Sequence, residues 1–199
     1  MIGKTMTIVT IVYHSGFGHT QALAEAVAKG AQAVSGTKVS LIPVAEAEAR
    51  EAELDAADAV IFGSPTYMGG VSAEFAKFKD WTSKRWMAGT WRNKLAAGFT
   101  SSASWNGDKH NTLYQLLTLA LQHGMVWVGL GLPPGYNHSK GSIEDLNRLG
   151  ASVGAMAQAN GDQGVEGIAA SDFRTMEALG RRVAEAAARW KEVPLKQAA

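Results

Sequence analysis

The chain has 199 residues, with 19 lysines and arginines against 18 acids and no cysteine. That length suits one α/β domain with a sizeable core, and the net charge of +1 offers no field for nucleic acid or an anionic membrane surface. Without cysteine there is no disulfide, thiolate nucleophile or thiolate metal site, and the five histidines show no His-Glu-x-x-His spacing. No apolar stretch approaches the roughly 20 residues of a membrane helix. The start of the chain reads as no signal peptide, so a cytoplasmic protein with no membrane insertion is expected.

Residues 6–13 are rich in Thr, Ile and Val and carry no charge, the pattern of a strand buried on both faces of a parallel sheet. The chain then turns through Ser15, Gly16, Phe17, Gly18, His19 and Thr20 and restarts as a helix, with Leu23, Ala26, Val27 and Gly30 at helical spacing. Glycines let backbone N–H groups close on an anion, and the helix aims its free N–H groups and positive dipole end at the same point. A Walker loop is excluded, because no lysine lies between residues 15 and 28. The dinucleotide fingerprint fails too: Gln21 stands where its third glycine belongs, and no acid ends the next strand. What remains is a hydroxyl-rich loop suited to one terminal phosphomonoester, or a tight turn whose glycines are purely steric.

Residues 38–44 form a second strand and 46–55 a short, exposed Ala/Glu-rich helix. Residues 58–63 are a third buried strand, ending in a loop of Ser64, Pro65, Thr66, Tyr67, Met68, Gly69 and Gly70. Ser72 is the expected N-cap of a helix presenting Phe75, Phe78 and Trp81 on one face. A polar, glycine-bearing segment, residues 82–91, joins it to a fourth strand at 95–100, which runs into Ser101, Ser102, Ala103, Ser104, Trp105 and Asn106. An apolar helix at 113–122 and a fifth strand at 125–130 follow. Residues 132–167 form an unusually long loop with a short helix around 143–149, and 172–190 close the chain as an amphipathic helix. A single domain is expected, with its core at about 6–191 and a frayed tail at 192–199. Strands alternating with helices predict a doubly wound, five-stranded parallel sheet of flavodoxin-like order 2-1-3-4-5, with helices on both faces.

In such sheets the ligand lies beyond the carboxyl ends of the strands, at the switch point. Here that means the loops after strands one, three and four, which are the unusual ones. A phosphate for the first loop and a flat aromatic system for the other two would be satisfied together by FMN. Residues 15–20, 63–69, 99–102 and 123–125 resemble, in order and spacing, the WrbA-type NAD(P)H:quinone oxidoreductases of the flavodoxin-like superfamily, over nearly the whole chain. The resemblance implies FMN bound without a covalent link, NAD(P)H as co-substrate, a quinone as acceptor, and a homotetramer that builds each site from more than one subunit; a homo-oligomer, dimer or tetramer, is expected. It implies a phosphate held by residues 15–20, a flavin ring flanked by Pro65 to Gly69, and residues 101–106 along the ribityl chain and ring edge. Phe17 would stand beside the nicotinamide and Trp86 over the substrate face. Gln122 or His123 would reach the flavin. Tyr67 and Met68 replace an arginine and a phenylalanine of the family pattern, which removes a fixed positive charge.

Trp81, Trp127 and Trp190 have the spacing of packing residues, whereas Trp86, Trp91 and Trp105 sit in loops and are expected to face a ligand or another subunit. His19 is open between a phosphate-loop donor and a surface turn. Three functions stay in view: an FMN-dependent oxidoreductase passing two electrons from NAD(P)H through flavin N5 to a quinone, a flavodoxin-type electron carrier, and a flavin-free interaction module. The first is favoured. A flavin carries the chemistry, so no catalytic acid, base or metal is sought. The balanced charge argues against a strongly acidic carrier that docks basic partners.

Overall fold

The structure, a computed structural model, describes residues 6–192. Expectations about the start of the chain and, apart from Glu192, about the tail lie outside the described residues. The elements are β1 (Thr7–Tyr13), α1 (His19–Gln32), β2 (Thr37–Pro43), a 3-10 turn (Val44–Glu46), α2 (Glu51–Asp55), β3 (Ala59–Tyr67) and β4 (Gly70–Val71). They continue with α3 (Ala73–Trp81), α4 (Ser83–Ala88), β5 (Leu95–Ser102), α5 (Lys109–Gln122), β6 (Val126–Trp127), β7 (Ala155–Gln158), a second 3-10 turn (Val165–Gly167) and α6 (Ala170–Glu192).

The main sheet runs β2-β1-β3-β5-β6 and is parallel throughout. Setting aside β4, which pairs antiparallel with the end of β3, this is the predicted 2-1-3-4-5 order. Side chains alternate between the two faces of each strand. Val9, Ile11, Ile61 and Phe99 pack against Leu23 and Val27 of α1 and Leu179 and Val183 of α6. Val12, Val60 and Phe62 meet Phe75 and Phe78 of α3 and Leu113 and Leu116 of α5 on the other face. Burying each such side chain stabilises by about 1.5–3 kcal/mol. Ser72 caps α3 as expected, its hydroxyl accepting from the Phe75 N–H.

The fifth strand is not continuous. β6 pairs with Leu95 and Ala96, β7 pairs with Phe99 to Ser102, and residues 128–154 loop out between them. Gly131 at φ +70° and the N–H-free Pro133 and Pro134 prevent the first piece from continuing. The helix expected around 143–149 is absent. Asn147 adopts φ +53°, and its side chain bonds the carbonyls of Leu132, Pro133 and Ala151, so side-chain bonds replace a helical ladder there.

The tryptophans separate differently from their sequence context. Trp91 is completely buried in the core and is not a ligand or interface residue of this protomer. The segment before it is partly helical, as α4, because Arg85 is buried against Trp81 and bonded to Asp55 and Glu51. Trp81 stacks on Phe78, and Trp127 is half-buried and donates to the Val153 carbonyl. Trp190, expected to pack, stays 45% exposed while its indole N–H reaches Asn93.

Candidate flavin site

At the carboxyl ends of β1, β3 and β5 lies a cavity of about 500 Å³, within the usual range for a cofactor site. Its first wall is the turn between β1 and α1. Gly18 is the N-cap of α1 at φ +90°, a conformation that side-chain-bearing residues resist, and its N–H donates to the Ser15 hydroxyl at 3.1 Å. No side chain caps α1 and no acid stands in its first turn. The N–H groups of His19, Thr20 and Gln21 therefore open the helix without intrahelical acceptors, beside the buried Thr20. This is a built cradle for an anion.

The second wall is the end of β3. Residues 64–67, expected to be loop, extend the strand instead: Pro65 pairs with Ser101, and a tight hairpin returns through β4 with Met68 at φ +48°. Thr66 is fixed by hydroxyl contacts of 2.8 Å to both Thr100 and Thr112. The phenol oxygen of Tyr67 lies against the Gly16 backbone, and burial raises its pKa. Its ring meets Phe17 edge-on, with centroids 6.3 Å apart.

The third wall comes from the end of β5. Ser101, Ser102 and Ala103 face the cavity. Behind them Lys109, 1% exposed, donates to the Ser102 hydroxyl and to the Ser104 and Trp105 carbonyls at 2.7–2.9 Å. Burial pulls the pKa of this lysine down to about 8.

Of the residues singled out in the sequence, Ser15, Gly16, Phe17, His19, Thr20, Pro65, Thr66, Tyr67, Ser101, Ser102 and Ala103 line one cavity. Gly18 is not in that lining and stands as the N-cap of α1 between Phe17 and His19, which are. Met68, fully exposed, and Gly69 form the hairpin tip instead. Ser104 serves Lys109 through its carbonyl, while Trp105 and Asn106 line a neighbouring groove, with the Arg148 guanidinium 4.8 Å from the Trp105 ring. Trp86, Gln122 and His123 are not brought to the cavity of their own protomer. They gather in a separate cleft of about 430 Å³ at the opposite ends of the strands. His123 is 5% exposed, packs on Trp91 and bonds Thr82, and burial followed by the charge of Arg85 lowers its pKa.

A fourth wall was not identified from the sequence: Ala159, Asn160, Gly161, Asp162 and Gln163, which follow β7. His19 pins it, its Nε2 lying 3.0 and 2.9 Å from the carbonyls of Gln163 and Gly164. The length and Gly/Asn content of the 132–167 loop were the available signal. Lys109, which begins α5 four residues before the helix expected at 113–122, carried no such signal. Among the described residues no cluster of His, Asp or Glu is arranged to hold a metal, and no helix is long and apolar enough to cross a membrane.

A parallel sheet of this order, with an uncapped helix N-terminus and a cavity at its switch point, has the flavodoxin-like fold. The chain belongs to the NADPH-dependent FMN reductase family, whose model matches residues 6–132. It is an oxidoreductase with FMN as cofactor and NAD(P)H as electron donor. It is 45% identical to "Flavodoxin FldP" of Pseudomonas aeruginosa over 90% of this chain and 96% of that protein. It is 33% identical to an "NAD(P)H dehydrogenase (quinone)" of Gluconacetobacter diazotrophicus over 92% and 98%. A solved structure of a "flavodoxin, WrbA-like protein" from Agrobacterium tumefaciens superposes with a TM-score of 0.73 at 42% identity, covering 92% of this chain and 98% of the other. The WrbA-type resemblance read from the sequence is borne out.

Proposed function

We propose that the chain catalyses two-electron reduction of a quinone by NAD(P)H, with FMN held in the 500 Å³ cavity. The observation that carries this reading is the convergence of the uncapped α1 N-terminus with the ends of β3 and β5 around one cavity that no lysine or arginine lines. Bound there, FMN would supply two-electron redox chemistry between the nicotinamide and the quinone. The chain's own residues bind and orient. The N–H groups of His19, Thr20 and Gln21 and the Ser15 hydroxyl hold the phosphate, and Thr20 adds a buried hydroxyl. Pro65, Thr66 and Tyr67 flank the ring, while Ser101 to Ala103 and residues 159–163 close the remaining walls and exclude water. Phe17, 80% exposed at the rim, offers a face to the nicotinamide.

The assembly in this reading is a homo-oligomer. Trp86, 53% exposed on α4, covers the quinone in a neighbouring subunit's cavity. Gln122 is exposed whereas His123 is held under Trp91, so Gln122 is the member of that pair free to cross. A second reading, a one-electron carrier, is favoured by the 45% identity to a protein named flavodoxin. The net charge of +1 weighs against it.

Steady-state oxidation of NADPH and of NADH with benzoquinone, in the presence of cytochrome c as a trap for radical products, tests the choice. Turnover without cytochrome c reduction supports the two-electron enzyme. Electron delivery to cytochrome c in place of hydroquinone formation supports the carrier.

A further inference from the structure

We propose that Gln158 is a positioning residue for flavin binding. Without lining the cavity itself, it fixes the distance between two of the cavity's walls. The inference rests on the reading that FMN occupies this cavity. Gln158 ends β7 and is 8% exposed. Its side-chain Nε2 donates in two directions, to the Ala103 carbonyl at 2.9 Å and to Asn160 Oδ1 at 3.2 Å. Ala103 belongs to the wall after β5 and Asn160 to the wall after β7, so one amide group spans the two.

Gln158 is itself held. Its N–H donates to Asp172 Oδ2 at 2.9 Å, and its carbonyl accepts from Arg148 Nη2 at 3.4 Å. Asp172 and Arg148 form a two-bond ion pair at 2.8 and 2.7 Å with both side chains 1% exposed. Burying such a pair is costly, and its two bonds hold both side chains in one geometry. Here it locks Gln158 from the α6 side. Asn160 is fixed in turn, because its Nδ2 donates to Gln163 Oε1 at 3.0 Å, which leaves Oδ1 facing Gln158. Lys109 secures the same β5 loop from below through three bonds. Strand pairing and the Ala159 N–H to Ser102 carbonyl bond at 3.4 Å bring the walls together at their base, and Gln158 sets how they stand beyond it, on which the shape of the cavity depends.

The chemistry suggests a variant with an internal control. Gln158→Glu keeps the shape but turns the donor into a carboxylate oxygen facing two acceptors, the Ala103 carbonyl and Asn160 Oδ1. Protonation of that carboxyl restores a donor. Apoprotein is titrated with FMN and flavin fluorescence quenching is followed from pH 5 to pH 8, for wild type, Gln158→Glu and Leu54→Ala. The last is a core variant remote from the cavity that reports the effect of lost stability alone. At pH 8 Gln158→Glu is expected to raise the FMN Kd roughly tenfold or more, as leaving buried acceptors unpaired implies. Its ratio to wild type should fall toward one as the pH approaches 5, while Leu54→Ala stays near wild type throughout. A Gln158→Glu Kd within twofold of wild type at pH 8 would overturn the proposal. So would a ratio that does not change with pH, or an equal rise in Leu54→Ala. Failure of the wild-type protein to bind FMN at any pH would instead overturn the reading of the cavity on which the proposal stands.

Discussion

Trp91 and His123 pack ring against ring, 4.5 Å between centroids, at the foot of the sheet and away from the flavin cavity. Trp91 is fully buried, and its indole N–H donates to Asp55 Oδ1 at 2.8 Å. Trp91→Ala should therefore cost about 3–5 kcal/mol of stability, the usual range for emptying a buried aromatic site. FMN affinity of the folded fraction should stay within about twofold, a change worth roughly 0.4 kcal/mol. Urea denaturation read beside a flavin titration checks both.

Gly18 presents the opposite case. A Cβ there would meet only Val165 Cγ2 at 3.9 Å, so space is ample and the φ of +90° is the obstacle. Gly18→Val should abolish FMN binding, because a β-branched residue forces the N-cap out of the shape that aims the α1 N–H groups at the phosphate. Gly18→Ala should weaken binding less. Unchanged FMN affinity in a folded Gly18→Val protein would remove the phosphate from this loop.

Lys109 makes stability depend on pH in a stated direction. Its pKa falls from the ordinary lysine value of 10.5 to about 8 because it is buried, with Asp172 opposing the shift and Arg148 adding to it. Between those values the unfolded chain binds the proton and the folded chain does not, so stability rises with pH. The contribution is complete above pH 10.5 and is lost as the pH falls through about 8. The stability difference between wild type and Lys109→Met, from urea denaturation, should thus grow between pH 7 and pH 10. A difference that shrinks over that interval would show that Lys109 stays charged.

Trp86 distinguishes a substrate contact from a purely structural one. Its ring is half exposed on α4 beside Met87, which is 71% exposed. If it stacks on a quinone in a neighbouring cavity, Trp86→Ala should lower quinone kcat/KM roughly threefold to tenfold, with FMN binding and assembly size retained. If it only joins subunits, a sizing column should show smaller assemblies, with activity falling in step. Retention of both would leave it without either role.

The sequence was most informative where local chemistry decides local structure. Charge-free runs gave the buried strands, Ser72 gave a cap, and the glycines at 16 and 18 gave the turn that opens α1. It was least informative where distant segments meet. The 125–130 run has the pattern of one strand, but Gly131 and two prolines divide the fifth position between β6 and β7. That division places residues 159–163 at the cavity. No periodicity announces it, because these residues reach the site through the pairing of β7 with β5. Residues 64–67 were read as loop because of Pro65 and the three glycines around it, yet β3 runs on to Tyr67 and the proline sits in register with Ser101 at the end of the sheet. Trp91 was misread for a related reason: polar neighbours in sequence say nothing of Asp55, which receives its N–H from 36 residues away.

The most direct measurement is the absorption spectrum of protein purified without added flavin, followed under anaerobic conditions as NADPH or NADH is added and then benzoquinone. A yellow protein is expected, releasing FMN on denaturation, bleaching with nicotinamide and recovering its colour on stoichiometric addition of quinone. A yellow protein that neither nicotinamide bleaches would contradict the enzyme and leave the electron carrier. A colourless protein that FMN does not reconstitute would contradict flavin binding itself.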